Sequence, residues 1–183
     1  MDTATSVVCV ALHDGRRLIA GEAIEAQRAH AELLAPMISR IIANQALTHV
    51  VVGVGPGPFT GLRVGITTGA VMAHALDLPV MGVCSLDAIA AGRSGTVITD
   101  AKRREVYAAT YVNGVRIGEP VVGKRDELHL QEPVMENALT AEGLGRIAAL
   151  TVVNNSGLSL SPMYLRKPDA IEPTTRKSVL GHD

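Results

Sequence analysis

The chain has 183 residues, 47% of them apolar but only 2% aromatic, so its interior must be built from Val, Leu, Ile, Ala and Met. That length suits one large domain or two small lobes. A formal net charge of -1 excludes a global basic field for nucleic acid, and the sequence predicts neither a membrane-spanning helix nor a secretory signal. Both cysteines, Cys9 and Cys84, fall in apolar strand-like runs, which predicts buried free thiols and a reducing, cytoplasmic setting.

Residues 6–12 alternate weakly and predict a strand, and Asp14-Gly15 predicts a turn into a second strand over 17–24. Residues 29–43 predict a helix with one apolar stripe, Leu33, Leu34, Met37, Ile38, Ile41 and Ile42. Pro36 should kink that helix or lie in its first turn. The run Val50-Val51-Val52-Gly53-Val54 reads as a buried strand, and 66–76 reads as a helix. A strand at 80–83, a short helix at 86–91 and a strand at 96–99 follow. Asn113-Gly114, between 106–112 and 115–117, is a hairpin signal. Residues 139–149 predict a helix, 151–153 an extended segment, and the polar tail after Ala170 a mobile end. This order predicts an α/β layout in two lobes, 1–95 and a smaller 96–183.

Between the strand ending at Val54 and the following helix stands Gly55-Pro56-Gly57-Pro58-Phe59-Thr60-Gly61-Leu62-Arg63-Val64-Gly65. A strand-to-helix turn is where open α/β sheets place ligands. This one is ill suited to phosphate: Pro56 and Pro58 each delete an N–H donor, no lysine follows, and the glycine spacing misses G-x-G-x-x-G. Gly61, Gly65 and Gly69 recur every fourth residue with Ala73 behind them. Each interior glycine costs about 1 kcal/mol relative to alanine, so the stripe implies close approach of another backbone. That backbone belongs either to the chain's own sheet or to a helix of another subunit. Phe59, the sole phenylalanine, sits in a proline-flanked turn and favours the second as an interface anchor. Thr60 is expected to cap the helix.

Catalytic chemistry finds little purchase. None of the six histidines, His30 among them, makes an H-x-x-x-H or H-x-x-H pair, so no metal site is expected. His30, at a helix start, is expected to be a capping or interface group. Ser85 and Thr60 lie outside G-x-S-x-G and lack a local base. Asp2 could hold magnesium, but no glycine-rich turn adjoins it, and a structural turn is expected instead. Lys102-Arg103-Arg104 is the one dense basic cluster. A solvated turn is its ordinary reading, and a phosphate contact the functional one.

GPGPFTGLRVG closely resembles the G-P-G-S-F-T-G-[LVI]-R-[IVA]-G signature of the TsaB (YeaZ) family. Asp2-Thr3-Ala4-Thr5 resembles that family's D-T-[AS]-T, residues 100–107 its D-A-R-x-x-E-V-Y, and Pro162-Met163-Tyr164-Leu165-Arg166 its P-x-Y-L-R. The resemblance implies the two-lobed actin-like and sugar-kinase-like ATPase fold, with a mixed sheet in each lobe. It implies a non-catalytic partner of the TsaD transferase, which threonylcarbamoylates an adenosine of tRNAs reading A-starting codons, acting with the ATPase TsaE. It further implies a homodimer when alone, no cofactor of its own, and tRNA met only through the complex. The helices over 29–43 and 60–76 would form the docking surface, giving His30, Leu34, Met37, Ile41, Phe59, Thr60, Gly61, Arg63, Gly65 and Gly69 as interface residues. Lys102, Arg103 and Arg104 are the candidate tRNA contact. A glycoprotease-like peptidase and a small-molecule kinase are the rival readings. Relatives carry a full apolar strand before D-T-x-T, and the region 128–160 looks shorter here. An absent first strand would leave a central sheet unpaired, so omitted segments are expected rather than truncated lobes.

Overall fold

The structure is a computed structural model that describes residues 1–26, 29–136 and 138–166. The predicted tail after Ala170 lies outside the described residues. Strands β1 (Val7–His13) and β2 (Leu18–Glu25) pair antiparallel. Their turn forms because Asp14 Oδ1 accepts the N–H groups of Arg16 and Arg17, each at 2.8 Å, while Gly15 takes φ +90°.

Helix α1 (His30–Ile41) lays Leu34, Met37 and Ile38 onto Val8 and Val10 of β1. Pro36 lies inside the helix on its exposed side, where an absent N–H can be replaced by water. Next comes a parallel unit: β3 (Val50–Gly53), α2 (Phe59–Ala75) and β4 (Val80–Val83). The short α3 (Ser85–Ala90) leads into β5 (Gly95–Asp100), β6 (Glu105–Val112), β7 (Val115–Lys124) and β8 (Val134–Met135), arranged β7-β6-β5-β8. In that sheet β5 and β8 run parallel and the other pairs antiparallel. Helix α4 (Ala141–Asn154) closes the order and packs back onto β1, β2 and α3.

Several boundaries differ from expectation. Residues 151–153 are not extended but form the last turn of α4, which ends where Asn155 adopts the left-handed conformation. Their β-branched preference yields to packing, since Thr151 is buried and its hydroxyl donates to Ile147 C=O. β7 runs on through Pro120, which an edge strand tolerates because one row of its N–H groups faces outward. β8 carried no readable signal, being two residues long.

The aliphatic core sits on both faces of β1. Val7 and Cys9 turn toward α3 and α4, whereas Val8 and Val10 turn toward α1. Cys9 and Cys84 are buried free thiols, each pushed up to about 12 by desolvation, which leaves them protonated and unreactive. Among the described residues no helix is long and apolar enough to cross a membrane.

Candidate functional site

The quoted motifs converge on the N-terminal end of α2, and they hold one another in place. Thr3 Oγ1 donates to Gly61 C=O at 2.7 Å. A Cβ at Gly61 would stand 2.5 Å from Thr3 O, one at Gly65 2.5 Å from Thr3 Oγ1, and one at Gly69 2.3 Å from Val52 Cγ2. At Gly57 it would stand 2.2 Å from the carbonyl oxygen of Ala4. The glycine stripe is therefore filled by the chain's own first loop and β3. Gly61, Gly65 and Gly69 are buried inner-face residues packed against the chain itself, whereas they were expected at a partner interface.

The apolar stripe of α1 likewise turns inward. Leu34 and Met37 are 1% and 0% exposed and belong to the core under β1, while Ile41 is half-buried against the same cluster. Periodicity located the apolar stripe correctly, but the stripe finds its partner within the chain. His30 is half-buried, with Nε2 2.8 Å from Thr5 C=O, so it ties the helix start to the Asp2–Thr5 loop and does not cap it. Thr60 is no cap either: Pro58 holds that position without a side-chain bond, and Thr60 lies exposed in the first turn.

The outer face of α2 is different in kind. Phe59 is 52% exposed, and its ring stacks on Tyr164 with centroids 5.1 Å apart and planes 23° apart. The Arg63 guanidinium carbon lies 3.8 Å from the Phe59 centroid, and its Nε donates to Tyr164 Oη at 3.4 Å. Tyr164, 41% exposed, arrives on the final described segment. That segment is fastened by a Gly82–Leu158 backbone exchange and by Met163 N–H donating to Val54 C=O, all at 2.8 Å. Arg166 then pairs with Glu105, which joins the P-x-Y-L-R stretch to the D-A-x-x-x-E-V-Y stretch. Sequence reasoning missed Tyr164 as a surface partner of Phe59. Its only signals were the motif around it and the scarcity of aromatics.

Lys102, Arg103 and Arg104 form the exposed turn between β5 and β6, with φ of +64°, +55° and +63°. Non-glycine residues in that region are strained by about 1–2 kcal/mol each. The turn is held by Asp100, whose Oδ1 accepts Lys102 N–H at 2.7 Å and whose Oδ2 pairs with Lys102 Nζ at 2.5 Å.

Beneath α2 and β3, Asp2 and Ser85 are both 0% exposed. Desolvation raises the pKa of Asp2, against the opposing pull of Ser85 and of the Ala4 N–H, which donates to Oδ1 at 2.7 Å. A Cβ at Gly53 would fall 1.9 Å from Asp2 Oδ2, so the carboxyl fills the space of a missing side chain, as a structural turn requires. Among the described residues no group of His, Cys, Asp or Glu could hold a metal ion.

With this geometry in view, known proteins resolve the class. The family described as "TsaD: tRNA N6-adenosine threonylcarbamoyltransferase" matches residues 24–159. An uncharacterized protein of Mycobacterium leprae (strain TN) is 40% identical over 93% of this chain, which spans only 55% of that relative's length. The tRNA threonylcarbamoyladenosine biosynthesis protein TsaB of Escherichia coli (strain K12) is 31% identical over 87% of this chain and 76% of its own. The structure of YeaZ from Pseudomonas aeruginosa superimposes with a TM-score of 0.75 over 90% of this chain and 97% of that one, at 24% identity. The fold is thus the mixed α/β arrangement of YeaZ. The chain belongs to the TsaB (YeaZ) family, whose named relatives are tRNA threonylcarbamoyladenosine biosynthesis proteins.

Proposed function

We propose that this protein is a non-catalytic partner of a TsaD-type transferase, docking through the outer faces of α1 and α2. The observation that carries this reading is the exposed Phe59–Arg63–Tyr164 stack. An aromatic pair half open to water, in a chain almost devoid of aromatics, is the composition of an interface anchor. Beside it α2 exposes Thr60, Thr67 and Val71, and α1 exposes Ala31, Ala35 and Ser39. Such short side chains let a partner helix approach closely. The same faces serve self-association when the protein is alone.

The remaining parts of the proposal follow from the family. The actin-like, two-lobed ATPase arrangement with lobes 1–95 and 96–183 is retained as architecture without an ATP-turnover role. The TsaE-type ATPase and tRNA act on the assembled complex, in the cytoplasm, with Lys102, Arg103 and Arg104 supplying a salt-screened phosphate contact. Ser85, fully buried, offers no nucleophile to a peptide or a nucleotide.

Reconstitution tests the reading. Alone, the protein should neither modify tRNA nor hydrolyse ATP or protein. With the TsaD-type and TsaE-type proteins of the same genome and threonylcarbamoyl-AMP, it should be required for multiple-turnover modification. Full modification in its absence would overturn the scaffold role.

A further inference from the structure

Residues 156–166 form a strap that leaves the end of α4, crosses β4 at Gly82 and carries Tyr164 to Phe59. Met163 and Leu165 are half-buried against the core cluster that holds Val83 and Tyr107. Tyr164, between them, reaches Phe59 and Arg63, and Arg166, just beyond, reaches Glu105. Two polar fastenings therefore flank the tyrosine. Upstream, Met163 N–H donates to Val54 C=O at 2.8 Å. Downstream, an Arg166 Nη donates to Glu105 Oε2, 61 residues away in the chain.

The downstream fastening is well founded at its far end. Glu105 is the first residue of β6. Its N–H donates to Lys102 C=O at 3.0 Å and its C=O accepts from Ala101 N–H at 2.9 Å, so its backbone is fixed on both sides. The side chains of Arg166 and Glu105 are only 27% and 33% exposed, which strengthens their attraction beyond that of a surface pair. An aromatic stack half open to water is weak by comparison. Alone it does not offset the entropy lost when the residues on either side of it are ordered.

We propose that Glu105 and Arg166 are positioning residues for docking: by clamping the strap two residues past Tyr164, the pair holds that ring over Phe59 and beside Arg63 before any partner arrives. The inference rests on the docking role proposed above and adds that the patch is preassembled in the free protein. Preassembly matters because a partner that first had to order the strap would lose that ordering entropy from its affinity.

The test uses Arg166→Met, which keeps an apolar stem and removes the charge, and Glu105→Gln. The ring protons of Phe59, the sole phenylalanine, lie in the ring current of Tyr164. In the free single variants their NMR shifts should move toward random-coil values. Affinity for the TsaD-type partner should fall about tenfold by calorimetric titration, with little change in thermal midpoint. Exchanging the charges, Glu105→Arg together with Arg166→Glu, should restore both readouts, which a merely loosened fold would not do. Unmoved Phe59 shifts in the single variants would overturn the proposal. So would full affinity there while Phe59→Ala binds weakly, or a swapped protein as weak as the single variants. Moved shifts with full affinity in these variants and in Phe59→Ala alike would support the pair's hold on the stack and overturn the docking role instead.

Discussion

The inner and outer faces of α2 carry equally specific sequence patterns, yet they answer to different constraints. On the inner face Gly61, Gly65 and Gly69 lack side chains because Thr3 and Val52 occupy the space. On the outer face Phe59 and Arg63 reach into water and toward Tyr164. The teaching is that a small-residue stripe reports close approach but does not name the neighbour. The stripe meets the chain's own loop and strand, although it is the more conspicuous pattern in the sequence.

The largest expected effect breaks the inner face. Gly61→Val places side-chain atoms against the Thr3 carbonyl, a backbone group that cannot swing aside. Chemical unfolding should show a loss of about 3 kcal/mol or more, beyond any gain in helix propensity. A normally stable variant with weakened association would return the stripe to the interface.

Phe59→Ala probes the outer face. Affinity for the TsaD-type partner should fall about thirtyfold, equivalent to roughly 2 kcal/mol, as measured by calorimetric titration. Stability should change by less than about 1 kcal/mol, because the ring is already half exposed. Unaltered affinity would place the docking surface elsewhere.

Asp2→Asn sharpens the comparison from beneath the helix. Burial raises the carboxyl pKa in the folded protein, so its contribution is fully present below the ordinary carboxylate value, about 3.9, and is lost as pH rises through the folded value. The amide keeps an acceptor for Ala4 N–H and does not titrate. The variant should therefore gain stability relative to the parent as pH rises from about 4 toward neutrality. Parallel stability curves for the two proteins would show that Asp2 carries no such linkage.

The smallest effect belongs to the basic turn. Arg103→Gly should stabilise the fold by about 0.5–1 kcal/mol, since glycine adopts the left-handed conformation without strain. Glutamate at 102, 103 and 104 together should leave partner affinity intact and lower modification at low salt. Equal activity at every salt concentration would assign the cluster to solvent.

Much of the architecture was legible because its signals are local. Asp14-Gly15 and Asn113-Gly114 announced their turns, and Val50–Val54 announced a buried strand. The end of α4 was misread because β-branched Thr151, Val152 and Val153 look extended until long-range packing is known. The site was legible in part. Phe59 stood out by residue type and place in a turn, Arg63 came only with the family resemblance, and the roles of Leu34, Met37 and the glycines depend on which surface they meet. Tyr164 was hidden by distance along the chain, which no periodicity encodes.

That distance also determines what can imitate the patch. Arg63 and Tyr164 stand 101 residues apart in the chain and meet because the last described segment is pinned to Val54 and to Gly82 of β4. The proposed recognition surface is consequently a discontinuous epitope. No linear peptide copied from α2 would reproduce it, and an antibody raised against the folded patch should lose its target when the protein is denatured or clipped before Ser156.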